Sequence, residues 1–165
     1  IGTGLNLLHY PETVRNLYAV DLAVLLPKTV LARSACLPFP VHIEQGTAEA
    51  MTYADRRFDY VVSTWTLCTI LDPVQALREA ARVLKPGGHF LFLEHGRSKD
   101  QKIAAWQDRL NPIQNVIGCG CNLNRQIDRL ITQSGLTIAH LDRFSMPGVP
   151  KLTGEMYRGT ATRHP

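Results

Sequence analysis

The sequence predicts an α/β fold, a mostly parallel sheet finished by a terminal antiparallel strand pair. Three observations carry this. Short apolar runs alternate with amphipathic helical patterns along the 165 residues. The last two strand-like runs, 136–144 and 155–163, have no helix between them and can pair antiparallel at one edge. The chain opens on Ile1-Gly2-Thr3-Gly4, a glycine turn of the kind that follows a buried strand and starts a helix.

The elements follow in order. Residues 16–23 form an apolar run ending near Asp21 and read as a buried strand. Residues 24–35 read as a helix, with Pro27 in its first turn. Residues 41–46 make a short strand closed by Gly46, and the strongly apolar 58–65 makes another. Asp72-Pro73 starts a helix, the Asp as N-cap and the Pro at the first helical position. Val74, Leu77, Ala81 and Leu84 recur at helical spacing and predict its buried face. Pro86-Gly87-Gly88 stops it, and 89–96 is the next buried strand. A helix over 99–110 ends at Asn111-Pro112. A Gly- and Cys-rich connection leads to a helix over 125–135 that Gly135 stops. Two strands close the chain, joined by a loop over 145–154. Such alternation favours strands covered on both faces within a single domain.

Composition narrows the class. The hydrophobic share is 45% and the charged share 19%, which fits a folded globular chain. Net charge is +4, spread along the chain rather than clustered, so no nucleic-acid partner is expected. No apolar run is long enough to span a bilayer and no signal peptide is visible, so stable membrane insertion is not expected. Of the four cysteines, Cys36, Cys68, Cys119 and Cys121, only the last two are close. The C-x2-C pairs of a zinc site are absent, so the expectation is reduced thiols, no metal set and a cytoplasmic setting. Without an initiator Met, the natural N-terminus is expected upstream of Ile1.

The chemistry-bearing residues cluster at predicted strand ends. Leu7 stands where a dinucleotide fingerprint needs its third glycine, which disfavours NAD and FAD. No Gly-Lys-Ser/Thr follows the turn either, so the phosphate-loop pattern is absent. Alone, the turn is equally an ordinary strand-to-helix connection. Asp21 lies 19 residues after Gly2 at a predicted strand end. There it can accept both hydroxyls of a ribose, or cap a helix. His95 ends a buried strand and is a candidate proton acceptor near neutral pH, with a structural His as the alternative. Trp65 and Trp106 are candidate pocket walls or core residues.

Two stretches, "GTAEAMTYADRRFDYVV" (46–62) and "LREAARVLKPGGHFLFLEH" (77–95), resemble the class I S-adenosylmethionine-dependent methyltransferases. The resemblance is strongest over residues 1–96. It implies a Rossmann-like methyltransferase fold and S-adenosylmethionine as cofactor. Gly2, Thr3 and Gly4 match the turn beneath the methionine part. Asp21 matches the ribose carboxylate and Leu22 the apolar residue beside the adenine. Ala48 and Glu49 match the loop bordering the ring, and Thr64 the strand end near the sulfonium. Thr47 stands where many relatives carry an adenine-holding Asp. The family's acidic residue before the turn, most of its first strand and its leading helices would precede Ile1. "EHGRS", "WQDRLNP" and "GCGCNLNRQID" resemble a small-molecule subgroup that includes thiol methyltransferases and lies near the phospholipid and quinone enzymes. That points to methyl transfer to a small apolar acceptor by in-line displacement, with His95 as catalytic residue and Trp65 and Asn122 on the substrate. "STWTL" replaces the Asn-Pro-Pro-Tyr type of signature that serves amide or base amino groups. The acceptor atom is left open among S, N, O and C, and a homodimer stays open beside a monomer. The alternative is a catalytically silent cofactor-binding or assembly protein of the same fold.

Overall fold

A computed structural model of the chain describes residues 1–23 and 27–163. They form two compact units, Ile1–Met51 and Thr52–Pro165.

In the first unit, β1 (Leu17–Asp21) pairs parallel with β2 (Val41–Gln45), Leu17 opposite Val41 and Asp21 opposite Gln45. The opening turn does not start an α-helix. Gly2 and Gly4 take φ of 53° and 72°, and a short 3-10 helix follows over Leu5–His9. The left-handed region is the one glycine enters without penalty. The first α-helix, α1 (Lys28–Ala35), begins after Pro27, which is its N-cap rather than part of its first turn. The expected first turn over 24–26 lies outside the described residues. Leu7, Val30 and Phe39 are the buried apolar anchors among the described residues here.

The second unit holds a four-stranded sheet in the order β3-β4-β6-β5. These are β3 (Phe58–Thr64), β4 (Leu84–His95), β5 (Leu136–Ser145) and β6 (Glu155–Arg163). Only β3 and β4 run parallel; β6 lies between β4 and β5, antiparallel to both. The terminal antiparallel pair is therefore present. The expected mostly parallel sheet is not: among the described strands two pairings are parallel and two antiparallel. The reason is where β6 inserts. It takes the free edge of β4 instead of extending the sheet beyond β5. Tyr60 and Val62 on β3 are exposed, so this unit does not cover both faces of that strand.

The helix α2 (Pro73–Val83) starts as the sequence predicts, with Asp72 accepting from the Gln75 N–H at 3.0 Å. Its buried face is Pro73, Ala76, Leu77, Ala80 and Val83, turned from the predicted one: Val74 and Ala81 lie at its margin. Small residues let the helix sit close to the sheet. It ends at Val83, and Leu84 already belongs to β4, with a register shift between Phe58 and Tyr60 taking up the extra residues. Arg163 of β6 donates to the carbonyls of Ala81, Arg82 and Leu84, filling acceptors that a helix end leaves open. The core gathers Leu77, Leu84, Phe90, Phe92, Ile127, Ile131, Tyr157 and Ala161.

Helix α3 spans Gln101–Ile117 and runs through Pro112, where the sequence predicts a stop. One missing N–H inside a helix that Asp100 caps firmly does not end it; Gly118 does. Helix α4 (Ile127–Gln133) stops before Gly135, whose φ is 90°. No helix among the described residues is long and apolar enough to cross a membrane.

Candidate functional site

The parallel strands β3 and β4 end side by side at Thr64 and His95. Beyond them the second unit assembles its most reactive groups. Trp65 leaves β3 at φ 53°, a conformation bulky residues rarely hold, and donates its N–H to the Leu93 carbonyl at 3.0 Å. Trp65 is 48% exposed, and its ring stacks on His95, centroids 6.0 Å apart and planes within 10°. An indole carried on a strained backbone and left half in solvent offers a flat surface for an apolar contact.

Glu94 anchors this turn. Its carboxylate is fully buried and accepts from Ser63 Oγ at 2.6 Å, Thr66 N at 2.9 Å and Leu67 N at 3.0 Å. Burial pushes its pKa up to about 7, and the three hydrogen bonds hold it from rising further. It is a strut for the loop that carries Trp65.

His95 is 2% exposed, and burial lowers its pKa, so the ring is neutral near pH 7. Nδ1 lies 3.9 Å from Cys121 Sγ, and Nε2 has no hydrogen-bond partner among the described residues. Cys68 completes the group: the ligand atoms of Cys68, His95 and Cys121 all lie within 4.8 Å of one another. Burial, reinforced by the neighbouring Cys121 and Glu94, pushes the Cys68 thiol up to about 12.

Chain spacing hides this cluster, because its members come from the β3–α2 loop, the end of β4 and the turn after α3. The one local signal is Cys119-Gly120-Cys121. Cys119 and Gly120 take φ of 51° and 90°, two left-handed residues in a row, and the chain reverses into contact with His95. Asn122 fastens the reversal. Its side-chain nitrogen donates to the carbonyls of Cys68 and Gly120, and its oxygen accepts from Asn111 and Asn115. Both amide donors and both lone pairs of Asn122 are thus engaged within the chain, which makes it a clamp between Cys68 and the cysteine turn. The Arg125 guanidinium braces the other side, donating to the carbonyls of Leu67 and Ile70. Trp106 is 56% exposed on α3 and is not a core residue of this unit.

The first unit holds the other expected residues. Asp21 ends β1 and ties down the glycine turn. Its Oδ2 accepts from the Ile1 nitrogen at 2.9 Å and Gly2 N at 3.1 Å, its Oδ1 from Ala23 N at 2.9 Å. Burial alone would raise its pKa; these donors outweigh it and the net shift is downward. Leu22 is 73% exposed. Ala48 and Glu49 form the turn after β2, in which the Thr47 hydroxyl donates to the Glu49 carboxylate and accepts from the Glu49 N–H.

The first unit thus carries a glycine turn tied to a strand-end carboxylate, and in the second, parallel strands close on a buried Glu–His pair. The chain is a member of the class I S-adenosylmethionine-dependent methyltransferases: the family model described as methyltransferase domain matches residues 1–92. S-adenosylmethionine is the cofactor of that family. Among individual proteins the chain is similar to human thiol S-methyltransferase TMT1A, 29% identical over 88% of this chain and 61% of the relative. It is 34% identical to rat thiol S-methyltransferase TMT1B over 76% of this chain and 52% of the relative. It thus spans between half and two thirds of the length of these relatives. In solved structures, the YcgJ protein of Bacillus subtilis shares the fold with a TM-score of 0.77, covering 99% of this chain and 89% of that one at 15% identity.

Proposed function

We propose that the chain transfers a methyl group from S-adenosylmethionine to a small apolar thiol. The observation that carries this is the Trp65–His95 stack: a half-exposed indole on a strained backbone, parallel to a neutral imidazole at the strand ends. Similarity to proteins named thiol S-methyltransferases supports the choice of sulfur.

The residues of the first unit fit the cofactor. A Cβ built on Gly2 meets nothing within 4 Å, so open space faces the turn. Asp21 is 22% exposed at its side chain and accepts three donors, which leaves carboxylate lone-pair capacity for a ribose hydroxyl. Gly2, Thr3, Gly4, Asp21, Leu22, Ala48 and Glu49 are proposed to hold it. When bound, the cofactor supplies an electrophilic methyl group and a neutral leaving group. The protein's share is alignment and exclusion of water. Trp65 offers the acceptor's carbon skeleton a flat wall. Glu94 holds that wall in place through Thr66 and Leu67. Beside the His95 cluster the thiol gives up its proton to solvent before its sulfur takes the methyl group.

The test pairs calorimetry with turnover. The folded chain is expected to bind S-adenosylmethionine and to methylate an alkyl or aryl thiol, but not the amine or alcohol of the same skeleton. Asp21→Ala is expected to weaken cofactor binding about 10- to 100-fold, the worth of hydrogen bonds to a charged group. Cofactor binding with no thiol methylated would refute the reading and favour a silent binding protein.

A further inference from the structure

The Cys68–His95–Cys121 cluster has the make-up and size of a metal site. Zinc bonds to sulfur and imidazole run about 2.0–2.3 Å, so neighbouring ligands around a tetrahedral ion lie about 3.6–3.8 Å apart. The Cys121 Sγ to His95 Nδ1 distance is 3.9 Å. Every ligand pair lies within 4.8 Å, so closing around an ion takes movements of about 1 Å or less. Two sulfurs and an imidazole are soft donors that favour zinc over magnesium or calcium.

A second, independent observation is the state of the imidazole. Buried polar groups are normally hydrogen-bonded. His95 is 2% exposed, yet its Nε2 has no partner among the described residues and its Nδ1 meets sulfur at the far limit of contact. The nitrogen that faces the sulfurs, Nδ1, is thus only loosely engaged at 3.9 Å, and a cation there gives it a close partner, while Nε2 keeps none among the described residues. The surroundings hold the ligands in place. Asn122 bridges Cys68 and the cysteine turn, and Arg125 braces the segment bearing Cys68. The expectation of no metal set rested on spacing along the chain; the fold collects the ligands from three places.

We propose that Cys68, Cys121 and His95 hold a Zn2+ ion whose fourth position is open and takes the sulfur of the acceptor thiol. Three protein ligands with an exchangeable fourth is the arrangement of reactive rather than structural zinc. The step is balanced. The thiol gives its proton to solvent, a sulfur lone pair forms the bond to zinc, and the water that held the position leaves. The ion then keeps the sulfur as a thiolate near neutral pH, and His95 acts as a ligand rather than as the base that the sequence suggests. Zinc binding stands by itself; the occupant of the fourth position rests on the thiol reading above.

The test uses the full chain, reduced and stripped with a chelator. Titration with Zn2+ against a competing chelator is expected to show one ion per chain. Co2+ in its place is expected to give a tetrahedral visible spectrum with a thiolate charge-transfer band. Loss of a group that merely supports a ligand costs about 10- to 100-fold in metal affinity, so Cys121→Ser is expected to cost at least that. The Cys36→Ser/Cys119→Ser double variant is expected to bind as the parent does. A small thiol added without cofactor is expected to shift the Co2+ spectrum. No stoichiometric zinc in the folded parent, or full zinc affinity in folded Cys121→Ser, would overturn the site. An unshifted cobalt spectrum would overturn the fourth-position assignment, as would undiminished thiol methylation by zinc-free protein, which leaves the thiol reading intact. Zinc binding without any thiol methylation sinks the thiol reading alone.

Discussion

Gln107→Leu is the sharpest probe of what holds the end of β4 in place. Gln107 sits on α3 with no exposed surface. Its Oε1 accepts from Ser98 N at 2.8 Å, and its Nε2 donates to the carbonyls of Gly96 at 3.2 Å and Leu152 at 3.0 Å. One amide therefore satisfies three backbone groups, two of them in the segment directly after His95. Leucine matches the volume and offers none of these bonds. Ser98 N–H and Gly96 C=O are then buried without partners, while half-buried Leu152 regains water. Each orphaned buried group costs about 1–3 kcal/mol, so the expected loss is about 3 kcal/mol, or about 6–12 °C in Tm for a chain of this size. Urea unfolding measures it, and hydrogen exchange at the Ser98 amide reports whether the opening is local. Gln101→Leu, at an exposed position of the same helix, is the control and should stay within about 0.5 kcal/mol. A loss under about 1 kcal/mol with an unchanged Ser98 amide would show that the segment is held by something other than Gln107.

Three further outcomes follow from the same geometry. Glu94 has its folded pKa raised from the ordinary 4.5 to about 7, so its stabilising share is complete below 4.5 and is lost as pH rises through 7. In chelator-treated protein, the stability of Glu94→Gln relative to the parent should therefore improve by about 3 kcal/mol between pH 4 and pH 8, measured by denaturant titration, and a flat difference would contradict it. Gly96→Ala places a Cβ 2.5 Å from the Arg125 carbonyl and 3.0 Å from Tyr157, which should cost about 1–3 kcal/mol in thermal unfolding. Trp65→Gly should be more stable than Trp65→Ala by about 1 kcal/mol, because glycine relieves the positive φ, while both raise KM for the thiol.

Much of the framework was legible along the chain. The Asp72-Pro73 cap, the two closing strands and the glycine stop at 135 act locally, and local chemistry is what a sequence displays. What escaped depended on distant partners. Nothing near residue 155 says that β6 pairs with β4 as well as β5. Pro112 reads as a helix end because the cap that outweighs it, Asp100, is three turns away. For the site, strand-end logic singles out Asp21 and His95, and the family resemblance adds Thr64 and Trp65, while nothing along the chain shows that Cys68 and Cys121 meet His95, which requires a strand, a helix and a left-handed turn to be folded first. The resemblance to the small-molecule subgroup puts Asn122 at the substrate, and its four internal hydrogen bonds are visible only in three dimensions.

The central position of β6 governs how the second unit comes into being. On the ribosome, β4 and β5 emerge with facing edges that have nothing between them, and they stay so until residues 155–163 clear the exit tunnel. Arg163, among the last of these to appear, then closes the end of a helix made some eighty residues earlier. The nascent chain is thus committed to late assembly, and any shortening that reaches this strand leaves two sticky ribbons rather than a slightly smaller sheet.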